Sequence, residues 1–297
     1  MEHKRLGSSD LFVSEIGLGC MSLTRGSAAA EILERAVDLG VTFFDTADLY
    51  DHGENERLVG RVLKPFRDQV VIATKVGNRW REDGSGWDWD PSKAYIKNAV
   101  HRSLQRLGLD YIDLYQLHGG TMADPMDETI EAFEELRREG SIRYYGISSI
   151  RPNVIREYAR RSDIVSVMMQ YSLLDRRPEE EILEFLRQRG IGVIVRGPVA
   201  KGLLAGKPPQ EYLEHSSEEV ARAQQQLGTL VGPGRTMAQS ALRFTLAHPA
   251  VTTVIPGASS RAQLEENVGA VESPALTLEE VAALQREVAA GVYLQHR

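Results

Sequence analysis

Four side chains in this 297-residue chain are of types that carry charge or move protons beside a reacting carbonyl, and three stand at the polar ends of short apolar runs. Asp45 follows the run 41–44, Lys75 follows 70–74, His118 follows 112–117, and Tyr50 lies five residues beyond Asp45. An aspartate and a lysine beside buried apolar runs cost free energy unless paired, so Asp45 and Lys75 on neighbouring strands are expected to form an ion pair. A purely structural pair would explain those two residues, but not why a tyrosine and a histidine join the same face. A free phenol titrates near ~10, and an adjacent ammonium lowers such a group by about 1–3 units, which suits it to give or take a proton near neutrality. His118 would donate an N–H to a substrate carbonyl oxygen as charge develops there. Any one of the seven histidines taken alone is more often a surface or satisfied core residue.

The elements that position these residues show in a repeated pattern. Gly40, Gly108, Gly140 and Gly190 each end a helical segment (28–39, 92–107, 126–139, 179–189), where a helix needs a left-handed residue, and each precedes an apolar run. Those runs (41–44, 112–117, 142–147, 191–195) and similar ones at 16–18, 70–74, 164–169 and 251–255 make eight candidate strands. They are short and nearly continuous in apolar residues, as parallel strands buried on both faces are. Eight such units predict an α/β fold, a (β/α)8 TIM barrel, over residues 1–297 as a single domain. The alternative is a doubly wound open sheet, but no Gly-x-Gly-x-x-Gly turn follows the first strand. In a barrel the chemistry sits at the C-terminal strand ends, and here those ends read Asp45, Lys75, His118, Ser148-Ser149, Gln170, Arg196 and Gly257.

Helix starts are marked by Asp90-Pro91, Asp124-Pro125, Ser216 with Glu219, and Thr277 with Glu280. Residues 4–6 and 12–14 flank Gly7-Ser8-Ser9-Asp10 and predict an N-terminal hairpin across the barrel bottom, while 278–293 predict an extra C-terminal helix. Hydrophobic residues make up 42% of the chain and charged ones 26%, which is ordinary for a packed globular protein. No run approaches the roughly 20 apolar residues of a membrane span, and no signal-like segment opens the chain, so a cytoplasmic protein is expected. The single cysteine, Cys20, allows no intrachain disulfide and no cysteine-rich metal site, and reads as structural or cofactor-adjacent. A net charge of −7, with 35 basic and 42 acidic residues spread along the chain, argues against a nucleic-acid partner. The helices show no obvious apolar stripe left over that would set an oligomeric state.

Gly17-Leu18-Gly19-Cys20-Met21, Asp45-Thr46-Ala47-Asp48-Leu49-Tyr50, Ala73-Thr74-Lys75 and Leu114-Tyr115-Gln116-Leu117-His118 resemble, in order, the signatures of the aldo-keto reductase superfamily. Gly146-Ile147-Ser148-Ser149, Gln170-Tyr171-Ser172 and Ile255-Pro256-Gly257-Ala258-Ser259 continue the resemblance along essentially the whole chain. It implies an oxidoreductase reducing aldehydes or ketones by hydride transfer from NADPH, with NADH as the rival cofactor, and a monomer as the family-like default. Asp45, Tyr50, Lys75 and His118 would be its tetrad: Tyr50 the general acid, Lys75 its charged neighbour, Asp45 the anchor of Lys75, and His118 the group that positions the carbonyl oxygen. Cys20 and Met21 would lie beside the cofactor. Ser148, Ser149 and Gln170 would hold the nicotinamide carboxamide, and Tyr171 would stack on its ring. The loop Gly197, Pro198, Val199, Ala200, Lys201 and Gly202 would cradle the pyrophosphate. Glu266 and Asn267 would contact adenine.

Two stretches depart from the relatives. Arg196-Gly197 stands where they usually carry Trp or Tyr and then Ser. Gly257 and Gln263 stand where some clamp an adenosine phosphate with Lys and Arg, leaving Ser259 and Arg261 as substitutes. All three tryptophans, Trp80, Trp87 and Trp89, lie in the loop 78–90 and suit a water-excluding substrate pocket or a plain lid. Two rival functions stand beside a reductase of small carbonyl substrates. One is a Schiff-base aldolase using Lys75, which pairing with Asp45 disfavours; the other is a cofactor-binding regulatory protein with little turnover.

Overall fold

The computed structural model describes residues 1–23 and 26–297. Gly40, Gly108, Gly140 and Gly190 adopt φ of +82°, +63°, +81° and +65°, and each turns a helix into the next strand as the spacing predicts. The strands are β1 (His3–Arg5), β2 (Phe12–Ser14), β3 (Leu18–Gly19), β4 (Phe43–Asp45), β5 (Val71–Val76), β6 (Asn78–Trp80), β7 (Trp87–Trp89), β8 (Ile112–Leu117), β9 (Ile142–Ser148), β10 (Ser166–Gln170), β11 (Gly192–Arg196) and β12 (Val251–Val254). The helices are α1 (Ser27–Asp38), α2 (Glu54–Leu63), α3 (Lys93–Leu107), α4 (Met126–Arg138), α5 (Pro152–Arg161), α6 (Ile182–Gln188), α7 (Ser217–Gly228), α8 (Met237–Leu246), α9 (Arg261–Val268) and α10 (Leu278–Glu287).

Eight strands form one parallel sheet in the order β3-β4-β5-β8-β9-β10-β11-β12. Its two edges meet: Gly17 N–H donates to the Val254 carbonyl (2.8 Å), Val254 N–H donates to Glu15 (3.0 Å), and Gly19 bridges Gly257. The sheet is thereby a closed barrel with no free edge. β1 and β2 pair as the expected hairpin, and Leu6, Leu11 and Val13 plug the barrel floor against Phe43, Val71, Ala73, Leu114, Met168 and Ile194.

Alternation along each strand extends these inward rows to the opposite end. Phe43 is followed by Asp45, Ala73 by Lys75, Leu114 by Gln116 and His118, Met168 by Gln170, and Ile194 by Arg196. A row that begins as apolar plug therefore ends in polar chemistry.

Several local expectations need correction. The segment 78–90 is not a loop but contains the hairpin β6–β7, with Asn78 opposite Trp89 and Trp80 opposite Trp87. The helix read over 179–189 splits into a 3-10 turn (Arg177–Glu180) and α6, because Glu181 leaves helical geometry at φ −151°. The helix expected to reach residue 293 stops at Glu287, where Arg176 Nη1 caps the carbonyls of Gln285 (3.0 Å) and Val288 (2.6 Å). Ser92 rather than Asp90 caps α3, and α4 begins after Pro125 without a side-chain cap. Asp124 instead accepts from Thr121 and from Trp89 Nε1. Both expected capping boxes, Ser216/Glu219 and Thr277/Glu280, are present.

Candidate active site

Asp45 and Lys75 end adjacent strands, and their inward side chains meet under the barrel mouth. Lys75 Nζ donates to Asp45 Oδ2 at 2.6 Å and to the Thr46 carbonyl at 2.8 Å, and lies 3.4 Å from the Tyr50 hydroxyl. Gln116, one strand further round, donates from Nε2 to the other Asp45 oxygen at 3.3 Å. Burial alone would lower the Lys75 ammonium, but the Asp45 carboxylate and Tyr50 outweigh it and hold the group above its ordinary value. Lys75 is therefore a fixed cation beneath Tyr50, which argues against its use as a free amine nucleophile.

Tyr50 comes from a tight turn after β4. Asp51, His52 and Gly53 all take left-handed φ (46°, 53° and 85°), which lifts Tyr50 back over the mouth. His118 is the first residue beyond β8, and its ring stands edge-on to Tyr50 with centroids 6.0 Å apart at 83°. Burial, with Lys75 and Arg196 nearby, pushes its imidazole down to about 3, so it is neutral at ordinary pH. Its Nδ1 is buried and without a hydrogen-bond partner among the described residues.

Tyr50, Asp45 and His118 form part of the wall of one cavity of about 1140 Å³, which runs across the C-terminal strand ends. That exceeds the usual range for a drug-sized ligand and suits an extended one. Its far reach is lined by Gly197, Pro198, Val199, Lys201, Gly202, Gly257, Ser259, Gln263, Glu266 and Asn267. A dinucleotide fits the chemistry of this wall. Gly197, Lys201 and Gly202 are left-handed (φ 66°, 57° and 93°), a backbone shape that forms anion-holding concavities. At Gly19, where the barrel closes, a Cβ would stand 2.9 Å from the Ile255 carbonyl, so a side chain there would disturb the cavity floor.

The cavity gathers most of the residues expected to touch a cofactor, including Met21, Ser148, Ser149, Gln170 and Arg196. Gln170 is already oriented. Its Nε2 donates to Asp175 (2.9 Å) and Tyr212 (3.2 Å), and its Oε1 accepts from Arg196 (2.9 Å). Four expected residues lie elsewhere. Tyr171 follows inward-facing Gln170 and so points outward; it is 1% exposed, and its hydroxyl donates to Glu179 at 2.7 Å. The planar group beside Gln170 in the cavity is the Arg196 guanidinium. Cys20 is fully buried under the mouth with Sγ 3.6 Å from the Leu18 carbonyl, and burial pushes its thiol up. Ala200 is likewise buried, and Arg261 turns along α9 to Glu265 at 2.9 Å. Gln263 closes on Ser259, accepting from its N–H and hydroxyl at 2.9 Å each.

The sequence reading missed several residues that shape the site. Gln116 shares the inward row of His118, a signal that strict alternation along β8 carries. Asn55 bridges Thr46 and the carbonyls of Cys20 and Leu23, which ties the loops after β3 and β4 together. Lys207 and Arg151 enter the cavity wall from loops whose course the sequence does not specify.

Comparison with known proteins agrees with this architecture. The model of the Aldo/keto reductase family matches residues 15–288. The chain is 54% identical to the uncharacterized oxidoreductase YqkF of Bacillus subtilis, over the full length of both. It is 31% identical to the NADH-specific methylglyoxal reductase of Escherichia coli, over 96% of this chain and 97% of that one. Among solved structures, the holo form of aldo-keto reductase AKR11C1 from Bacillus halodurans superposes with a TM-score of 0.94 at 54% identity, over 100% of this chain and 99% of that one. With a closed eight-stranded barrel, an ordered set of strand-end signatures and a family match spanning nearly all its residues, this chain belongs to the aldo/keto reductase family of oxidoreductases.

Proposed function

We propose that the protein reduces aldehydes or ketones to alcohols, with Tyr50 delivering the proton and NADPH as the cofactor. The observation that carries this reading is the Tyr50 hydroxyl held 3.4 Å from a buried, charged Lys75, edge-on to a neutral His118, in the wall of a cavity of about 1140 Å³. When bound, the cofactor supplies the hydride. Neutral His118 donates an N–H to the carbonyl oxygen and orients it. Tyr50 gives that oxygen its proton, and the adjacent Lys75 ammonium stabilises the phenolate left behind. Asp45 and Gln116 keep Lys75 charged and in place. In alcohol oxidation the same groups run in reverse.

Ser148, Ser149 and Gln170 would hold the carboxamide, with Arg196 against the ring. The loop 197–202 and Lys201 would take the diphosphate, and Glu266 with Asn267 the adenine. Arg261, 68% exposed, would meet an adenosine phosphate on leaving Glu265. Trp87, Trp89, Leu49 and Ile150 give the substrate end of the cavity an apolar wall.

The test follows NADPH and, separately, NADH oxidation with a panel of aldehydes, ketones and a quinone. Wild type is compared with Tyr50→Phe, and cofactor affinity is titrated in parallel. Tyr50→Phe is expected to lose on the order of 10²–10⁴-fold in turnover while still binding cofactor. Tight cofactor binding by the wild type with no turnover across the panel would favour a binding protein instead.

A further inference from the structure

The charges in the cavity wall do not balance. Arg151, Arg196, Lys201 and Lys207 line it, against Glu266 and an Asp45 already matched by Lys75, although the whole chain carries a net charge of −7. None of the four cations has a carboxylate oxygen within 4.0 Å among the described residues, whereas most other buried or half-buried arginines here do, such as Arg67, Arg106, Arg176 and Arg177. A half-buried guanidinium left without an anion signals a ligand that brings one.

Three of the four cations belong to β11 and the loop that follows it, where the proposed dinucleotide would account for them, Arg196 against its ring and Lys201 and Lys207 at its diphosphate. Arg151 does not. It follows β9, two strands round the barrel from β11, and its Nη1 donates to the carbonyl of Gly120, two residues beyond His118. The nearby acid, Asp124, is spent on Trp89 Nε1, the Thr121 N–H and the Thr121 hydroxyl. Ile150, Trp87 and Trp89 share the cavity wall with Arg151 and offer apolar surface to the body of a ligand.

We infer that Arg151 is a specificity-determining residue, selecting carbonyl substrates that bear a carboxylate or similar anionic group on the apolar body remote from the reacting carbon. The assignment rests on the reductase reading above for the identity of the reacting group, but not for the anion site itself. His118 would hold the carbonyl oxygen, the tryptophans would cover the body, and Arg151 would fix the far end with the guanidinium N–H groups that Gly120 leaves free.

The test uses 4-carboxybenzaldehyde and its methyl ester, methyl 4-formylbenzoate, which share a reacting centre and differ in charge. Wild type is expected to favour the acid over the ester in kcat/KM at least tenfold. Arg151→Leu should lower that ratio at least tenfold, chiefly through KM of the acid, and Arg151→Lys should recover part of it. A wild-type ratio near one, or equal losses on both substrates in Arg151→Leu, would overturn the inference and leave Arg151 a structural tie to Gly120. If wild type reduces neither these aldehydes nor any member of the panel above, the reductase reading fails on its own. The anion site is then read from quenching of tryptophan fluorescence by the same two compounds with oxidised cofactor present. Tighter binding of the acid that Arg151→Leu abolishes supports the site, and equal binding of acid and ester overturns it.

Discussion

His52 lies flat on Trp80, with ring centroids 3.8 Å apart and 24° from parallel, and Trp80 Nε1 donates to the carbonyl of Leu49 at 3.2 Å. Between those two anchors sits Tyr50. The β6–β7 hairpin thus straps down a turn whose two left-handed non-glycine residues, Asp51 and His52, would otherwise cost free energy to hold. Trp80→Ala is expected to lower kcat about tenfold with cofactor affinity unchanged, because a loosened Tyr50 is misplaced rather than removed. Trp80→Phe keeps the stack without the hydrogen bond and should fall between. Steady-state kinetics alongside cofactor titration checks this.

The buried Asp45–Lys75 pair makes a stability prediction. Asp45→Asn or Lys75→Met leaves one charge without its partner and is expected to cost about 3–5 kcal/mol. The double variant should cost less than the sum of the two singles, a coupling that denaturant unfolding of all four proteins measures.

His118 predicts an acid-side slope. Its folded value of about 3 lies below the unfolded value of about 6.5, so the unfolded chain takes up a proton that the native chain refuses. Stability from this group is complete above pH 6.5 and is lost as pH falls toward 3, by on the order of 1–3 kcal/mol for a residue at a solvent-facing mouth. His118→Gln should flatten that part of a Tm-against-pH curve. The same shift means that His118 contributes no inflection in activity near pH 6.5.

Gly60 lies inside α2, where alanine is intrinsically better by about 1 kcal/mol. Here the sign reverses. A Cβ on Gly60 would stand 2.0 Å from the Leu107 carbonyl oxygen at the end of α3. Gly60→Ala must push the two helices apart, and a net loss of about 1–3 kcal/mol is expected in thermal or denaturant unfolding.

At the proposed adenosine end of the cavity, Glu265 ties up both Arg261 and Arg35 at 2.9 Å each. Glu265→Gln weakens that hold and should raise the affinity for NADPH relative to NADH by about 2–5-fold, since the groups are largely solvent-exposed. Paired titrations with the two cofactors read it directly.

The barrel was legible in the sequence because its signals are local. A left-handed glycine after each helix and an apolar run after each glycine are properties of a few consecutive residues. Three of the four catalytic candidates were legible for the same reason, since Asp45, Lys75 and His118 each follow from a place at the end of a strand, and Tyr50 from its short distance beyond Asp45. The outward direction of Tyr171 follows from a rule equally local: a residue beside inward-facing Gln170 must face outward. Gln116 could have been found by that same alternation. What tertiary structure alone decided are contacts between segments far apart in the chain. The stack of His52 on Trp80, the bridge of Asn55 to two carbonyls, the capture of Arg261 by Glu265 and the reach of Arg151 to Gly120 depend on how loops from different strands meet over the mouth. Sequence fixes which residues a loop contains, but loop direction is set by packing against neighbours, and only the closed barrel brings those neighbours together.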